Sequence, residues 1–348
     1  MTAPPGLDGA AMDSLRERLA ERAMLPLWES LHALVPPQPN RHYRSHLWRY
    51  DEVRALLLEA GGLISAEQAE RRVLILENPD LPGSASITPT LYAGVQLVLP
   101  GEIAPAHRHT QSALRFVLEG EDAITAVEGE EIAMRPGDLV LTPNWKWHDH
   151  GNGSRQPMMW LDGLDIPLVR FLNGGFMEKS NSPVGARTKA RGDGLLRFGA
   201  GLAPAEWRPT SKASPKVHYP YAAARAALHA LAASDAIDPS QGWRMRYVNP
   251  ATGGSPLPTI SCYLRLLPKA YRTRPYRATD SRVFTAVEGG GVVTIDGWAF
   301  TFSPRDVFCA PAWSRVSIET DDETVLFEMS DRIAQEAFDL WREDRSDA

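Results

Sequence analysis

The second half of this chain repeats the first, and that feature constrains the fold more than any other. The stretch NPDLPGSASITPTLYAGVQLVLP, from Asn78, returns from Asn249 as NPATGGSPLPTISCYLRLLP. RFVLEGEDAITAVEGEEIAMRPGDLVLTPNW returns as RVFTAVEGGGVVTIDGWAFTFSPRDVFCAPAW. Pro100, Pro136, Pro143 and Trp145 recur 168 positions later as Pro268, Pro304, Pro311 and Trp313. A repeat this long means two copies of one structural unit. Inside the first copy, short β-rich runs at Val95–Leu99, Leu114–Leu118, Ala123–Val127, Leu139–Leu141 and Met158–Leu161 alternate with Gly/Pro turns. That texture predicts an antiparallel sandwich or small barrel rather than βαβ units.

The flanks read differently. Ser14–Glu17 and Ser65–Gln68 have the form of capping boxes, and Asp51 can cap a helix that Gly61-Gly62 would end. A Pro-rich segment (Pro204, Pro209, Pro215, Pro220) precedes an Ala-rich helix predicted over Tyr221–Ala233. The expected architecture is an all-β core of two barrels with helical additions. It divides into an N-terminal helical arm over 1–80, a first barrel over 81–180, a linker with a helix over 181–245 and a second barrel over 246–348.

Composition removes several function classes. The chain has 348 residues, 43% hydrophobic and 23% charged, enough to bury two cores. Its net charge is −6 and it has no Lys/Arg block, a poor match to nucleic acid phosphate. Two cysteines, Cys262 and Cys309, cannot form a disulfide framework. No uncharged apolar run is long enough to span a membrane, and the first residues lack the basic and apolar regions of a signal peptide. The expectation is a cytoplasmic protein.

All nine histidines precede residue 230, and the second copy has none. Four of them form two His-x-His pairs inside the first copy: His107/His109 and His148/His150. Within one strand that spacing puts both rings on the same face. If the face points into a barrel, two imidazoles converge and a third from a later strand can complete a facial set. Such a set leaves positions open, as a catalytic metal requires. Isolated histidines are more often surface groups or core hydrogen-bonders, but a purely structural domain has no reason to confine them to one copy.

Gly101-x5-His107-x-His109 running to Gly120, then Pro143-x-Trp-x-x-His148-x3-Asn152, resembles the two cupin motifs. Two departures stand out: Ala113 or Leu114 occupies the usual Glu position, and Trp145 the usual Gly. The strings ERRVLILENP, HRHTQSALRFVLEG, MRPGDLVLTPNWKWHDHGN and WLDGLDIPLV then resemble the gentisate 1,2-dioxygenases. Those belong to bicupin ring-cleaving enzymes that also act on salicylate and 1-hydroxy-2-naphthoate. The resemblance covers about Leu25 to Arg332. It implies a bicupin of two double-stranded β-helix (jelly-roll) barrels, with Fe(II) on His107, His109 and His148. It further implies O2-dependent cleavage of a hydroxylated aromatic acid beside its carboxylate, in a homotetramer.

Further site residues follow from alternation and from the resemblance. Arg115 lies six residues after His109, which predicts an inward side chain needing an anion, either the substrate carboxylate or an internal Asp or Glu. Tyr92 and Gln96, on the strand leading to the His pair, are placed to bond or stack on the ring, with core packing the competing role for Tyr92. His150 shares the face of His148; the resemblance gives it an acid/base role near a substrate hydroxyl, the alternative being a spare ligand. Arg71 or Arg72 would close the pocket from the arm, the resemblance favouring Arg71. Trp145 and Trp147 read as core or interface. The leading expectation is gentisate cleavage between C1 and C2 to maleylpyruvate. Its rivals are the same chemistry on salicylate or 1-hydroxy-2-naphthoate, a non-catalytic cupin that binds an aromatic acid, and a metal-dependent cupin isomerase.

Overall fold

The computed structural model describes residues 9–39 and 43–346. The chain divides after Asn40 into two compact units. The first holds helices Gly9–Ala20 and Leu27–Leu34, neither of which buries a residue. Ser14 lies inside the former and caps nothing, because the good helix formers Ala10, Ala11 and Met12 start the helix upstream of it.

The larger unit contains two barrels, each of two antiparallel sheets. In the first, a six-stranded sheet runs in the spatial order His218–Tyr219, Leu139–Thr142, Ala113–Glu119, Met158–Leu164, Tyr92–Val98, Val73–Ile75. Its companion has five strands: Met177–Lys179, Ile103–His109, His148–Gly151, Ile124–Val127 and Glu130–Ala133. The second barrel repeats the plan with a six-stranded and a four-stranded sheet. Four of the five β-rich runs seen in the sequence are strands of the six-stranded sheet, and the fifth, Ala123–Val127, becomes the strand Ile124–Val127 of the five-stranded one. The two His-x-His pairs lie on the strands Ile103–His109 and His148–Gly151, as their spacing led us to expect, although Pro105 and the polar side chains dilute the β pattern there.

Two short strands depart from chain order. His46–Trp48 precedes the first barrel yet pairs with Val307–Ala310 of the second, His46 opposite Cys309. His218–Tyr219 follows the first barrel and pairs back onto its Leu139–Thr142 strand.

One apolar cluster joins the barrels, with Phe116 stacked on Phe327 at 4.1 Å between centroids. Across the same junction run two reciprocal hydrogen bonds. Thr90 Oγ1 donates to Asp331 Oδ2 at 2.7 Å, and Thr259 Oγ1 donates to Asp165. Each aspartate also accepts a backbone N–H in its own barrel, from Ser281 and Ser112 respectively. The repeat in the sequence is thus a repeat of contacts as well.

The predicted helix after the Pro-rich segment forms as Tyr221–Ser234, seated on Leu228. Helix Tyr50–Leu63 buries Tyr50, Val53 and Leu57, and Gly61 lies within it rather than ending it. A Cβ at Gly61 would come within 3.2 Å of Leu97 and Leu99, so the residue permits close packing of helix on sheet. Ser65 does cap the short helix Ala66–Ala69 through a full capping box. Among the described residues no helix is long and apolar enough to cross a membrane.

Candidate metal centre

The strand Ile103–His109 shifts register between Ala104 and His107, where Pro105 cannot donate to the ladder. Beyond the shift His107 sits directly opposite His148. The rings of His107, His109 and His148 lie 5.4, 4.1 and 4.9 Å apart between centroids. One ligand nitrogen from each falls within 4.8 Å of the others.

The protons are arranged for a cation. His109 Nδ1 lies 2.9 Å from the Gln111 carbonyl oxygen, and His148 Nδ1 lies 2.9 Å from that of Lys146. A carbonyl only accepts, so each Nδ1 carries the hydrogen and each Nε2 keeps its lone pair. His148 Nε2 is buried with no partner, an orphan that a metal ion would satisfy. Burial holds all three rings neutral, His107 down at about 3 with help from the Arg71 cation and His109 at about 4. His148 lies well below its ordinary value for the same reason, with the Arg115 cation adding to it. Neutral imidazoles are the ligating form, so the residues present fit a metal ion.

A pocket of about 810 Å³ opens on this set, with His107 and His109 in its wall. Arg71 is also in the wall, and the structure separates it from its neighbour. Arg71 is half-buried, touches His107 and donates to two backbone carbonyls, Glu70 at 2.7 Å and Pro105 at 2.8 Å. Desolvation, with Arg115 nearby, lowers it to about 10, still cationic at neutral pH. Arg72 instead forms a buried fork onto Glu102 at 2.8 Å.

Arg115 faces inward as expected, but not because of its spacing from His109. The two residues lie on different sheets with a turn between them, and alternation does not carry across a turn. Arg115 points in because its neighbour Phe116 points out onto the second barrel. Its anion is internal: Nε lies 3.6 Å from Asp162 Oδ1, and Nη1 donates to Thr142. The sequence reading missed Asp162, whose alternation with Trp160 and Leu164 along one strand would have revealed it. Burial raises the Asp162 carboxyl to about 6 against the pull of Arg115, and Trp160 Nε1 donates to it at 2.9 Å.

His150 is fully buried, its Nδ1 2.9 Å from the Thr125 hydroxyl and its Nε2 without a partner. Its ring lies 5.7 Å from that of His148. Tyr92 and Gln96 share the inward face of their strand with Gly94, which sits opposite Asp162. They are buried, and neither they nor Arg115 and His150 belong to the wall of the large pocket. Trp145 and Trp147 stack on Arg108 at 4.4 and 4.8 Å, bracketing the metal strands from outside.

Equivalent positions in the second barrel follow from the ladders. Tyr276 bridges Val316 as His107 pairs with His148, and Trp313 N donates to the Ala278 carbonyl as Trp145 N does to that of His109. Tyr276, Ala278 and Val316 therefore stand where the first barrel has His107, His109 and His148.

Residues 94–164 match the Cupin domain family model. Over 329 residues the chain is 45% identical to gentisate 1,2-dioxygenase 1 of Aquipseudomonas alcaligenes, covering 94% of this chain and 95% of that one. It is 36% identical to a 5-aminosalicylate 1,2-dioxygenase of Comamonas sp, covering 95% and 90%. The crystal structure of salicylate 1,2-dioxygenase from Pseudoaminobacter salicylatoxidans with gentisate superposes with a TM-score of 0.92 at 34% identity, covering 100% of this chain and 98% of that one. Fold and site together define a bicupin dioxygenase with a three-histidine metal site in its first barrel. The chain belongs to the gentisate 1,2-dioxygenase family, whose relatives include salicylate and naphthoate dioxygenases.

Proposed function

We propose that the protein cleaves gentisate between C1 and C2 to maleylpyruvate, with Fe(II) on His107, His109 and His148. One observation carries the reading: three neutral imidazoles converge with no carboxylate among them, and two of them, His107 and His109, share a pocket with the Arg71 guanidinium, for which no carboxylate partner stands within ion-pair distance among the described residues. A site that leaves a dication and a guanidinium unneutralised suits a substrate bringing a carboxylate and an ortho-hydroxyl. When bound, the iron supplies a template and an electron relay between the hydroxy acid and dioxygen. Both atoms of O2 enter the product as the C1–C2 bond breaks.

The chain's own residues do the rest. Arg71 takes the carboxylate at the pocket wall, and Arg115, fixed by Asp162 and Thr142, adds positive potential from below. His150, with Nδ1 against Thr125, offers Nε2 to the proton of a substrate hydroxyl. Tyr92 and Gln96, buried on the inward face of their strand, would back the inner end of the site behind the ring. The second barrel, with Tyr276, Ala278 and Val316 at the equivalent positions, holds no metal in this reading. In this reading the chain has an arm over 1–80, barrels over 81–180 and 246–348 and a linker over 181–245, the arm lending strand Val73–Ile75 to the first barrel's sheet and His46–Trp48 to the second's. This reading takes the protein to be a cytoplasmic homotetramer, and sizing by light scattering would check the tetramer.

The test is to load Fe(II) anaerobically, admit air and scan gentisate, salicylate and 1-hydroxy-2-naphthoate at equal concentration. Fastest ring opening is expected for gentisate, whose para-hydroxyl enriches the ring. A clear preference for either of the others moves the protein to that branch. Binding without O2 consumption leaves the non-catalytic reading.

A further inference from the structure

We propose that Glu70 and Lys179 are positioning residues that hold the Arg71 guanidinium at the metal site; the inference rests on the reading of that site given above. Glu70 ends the helix Ala66–Ala69 with φ 52° and ψ −46°. Arg71 N–H donates to the Ala69 carbonyl across it, so Glu70 is the middle of a γ-turn with positive φ. That turn is rare and strained for any residue with a side chain. Strain one residue before a pocket arginine marks a place where geometry is held against local preference.

The turn has a direct effect on Arg71. The Glu70 carbonyl accepts from Arg71 Nη1 at 2.7 Å, while the Pro105 carbonyl takes Nη2 at 2.8 Å. Two fixed acceptors thus orient the guanidinium beside His107.

Lys179 ties the turn down through an ion pair. Its Nζ donates to Glu70 Oε1 at 2.7 Å, and both residues are in the pocket wall. Lys179 is itself the cross-strand partner of His107. The ion pair therefore links the strained turn to the strand that carries two of the three imidazoles.

A purely stabilising role fits poorly. Both side chains are well exposed, with 63% and 62% of their surface accessible, and exposed ion pairs add little to stability. Removing Lys179 would also leave the Glu70 carboxylate free to compete with substrate for Arg71.

The experiment uses the full-length, Fe(II)-loaded chain. Gentisate Kd is measured by anaerobic calorimetry, alongside bound metal, thermal midpoint and the kcat and KM of turnover. Lys179→Met and Glu70→Gln should each raise Kd and KM about three- to fivefold, in line with an exposed pair. Metal content, midpoint and kcat should hold. The double variant should be no worse than either single one, and Lys179→Arg, which keeps the pair, should bind as the unaltered protein does. Kd values within a factor of about 1.5 of the unaltered protein in both single variants would overturn the proposal, as would loss of metal or a lowered midpoint accounting for the change. Failure of the unaltered protein to bind gentisate would instead overturn the functional reading, and this inference with it.

Discussion

The two barrels share a frame and differ in what fills it. Both keep a tryptophan at positive φ, Trp145 and Trp313, stacked on an arginine, Arg108 and Arg277. Both close onto the other barrel through a Thr–Asp hydrogen bond. Inside, the first presents neutral imidazoles with one Arg–Asp pair. The second converges Arg244, Arg265 and Arg282 on Glu328, whose carboxylate accepts from Arg244 and Arg265 at 2.7 Å each. The three cations hold the Glu328 carboxyl down at about 2 despite complete burial. Where one barrel gathers three imidazoles, the other gathers three guanidinium groups around a carboxylate. The arginine–tryptophan brackets persist in both, so they serve the barrel and not the metal.

The comparison can be broken most sharply at the imidazoles. His148→Ala should abolish both bound metal and turnover, and full metal occupancy in that variant would overturn the ligand set. In mirror image, Tyr276→His, Ala278→His and Val316→His together should still bind no ion, because three nearby guanidiniums oppose a dication; two ions per chain would show that ligand identity alone decides.

Next in size is the second barrel's charge cluster. Glu328→Gln removes the carboxylate on which three cations converge, and should cost about 3–5 kcal/mol in chemical unfolding. Asp162→Asn, which removes the partner of a single guanidinium, should cost less. Equal losses would mean that the two interiors are electrostatically alike. A smaller effect is expected at Arg115. Replacing it with Ala should lower kcat/KM at least tenfold, about 1.4 kcal/mol of transition-state stabilisation.

The smallest effect tests the junction. Burial, and then Asp280, raises the Asp331 carboxyl to about 7, and burial raises Asp165 to about 6. The folded chain therefore favours the protonated acids. Their contribution is complete at pH values below the ordinary carboxylate range and drains away as pH rises toward 6 and 7. Asp331→Asn should flatten the upper part of that decline in thermal midpoint against pH, and an unchanged slope would remove Asp331 as its source.

The repeat and the clustering of histidines in one copy were enough to read two barrels and one metal site from the sequence, because both are patterns along the chain that need no knowledge of spatial partners. What escaped reading depends on distant partners. Asp162 shares the strand face of Trp160 and Leu164, but its role shows only once Arg115 is placed opposite it. Neither strand His46–Trp48 nor strand His218–Tyr219 says which barrel it joins, since three or two residues carry too little pattern to fix a register. The arginine pair could not be separated until Glu102 was seen to engage Arg72. The strain at Glu70 is invisible in sequence, where a residue that tolerates such a turn easily would have been glycine.

The displaced strand His46–Trp48 sets a timetable for synthesis. Its partner, centred on Phe308, leaves the ribosome roughly 260 residues later. At about 5–20 residues per second, the strand waits on the order of tens of seconds with its backbone unpaired. Throughout that interval the first barrel can assemble, whereas the second must receive an edge made before either barrel existed. A newborn chain is therefore exposed to wrong pairing at this strand, and slowing translation across the linker would lengthen that exposure.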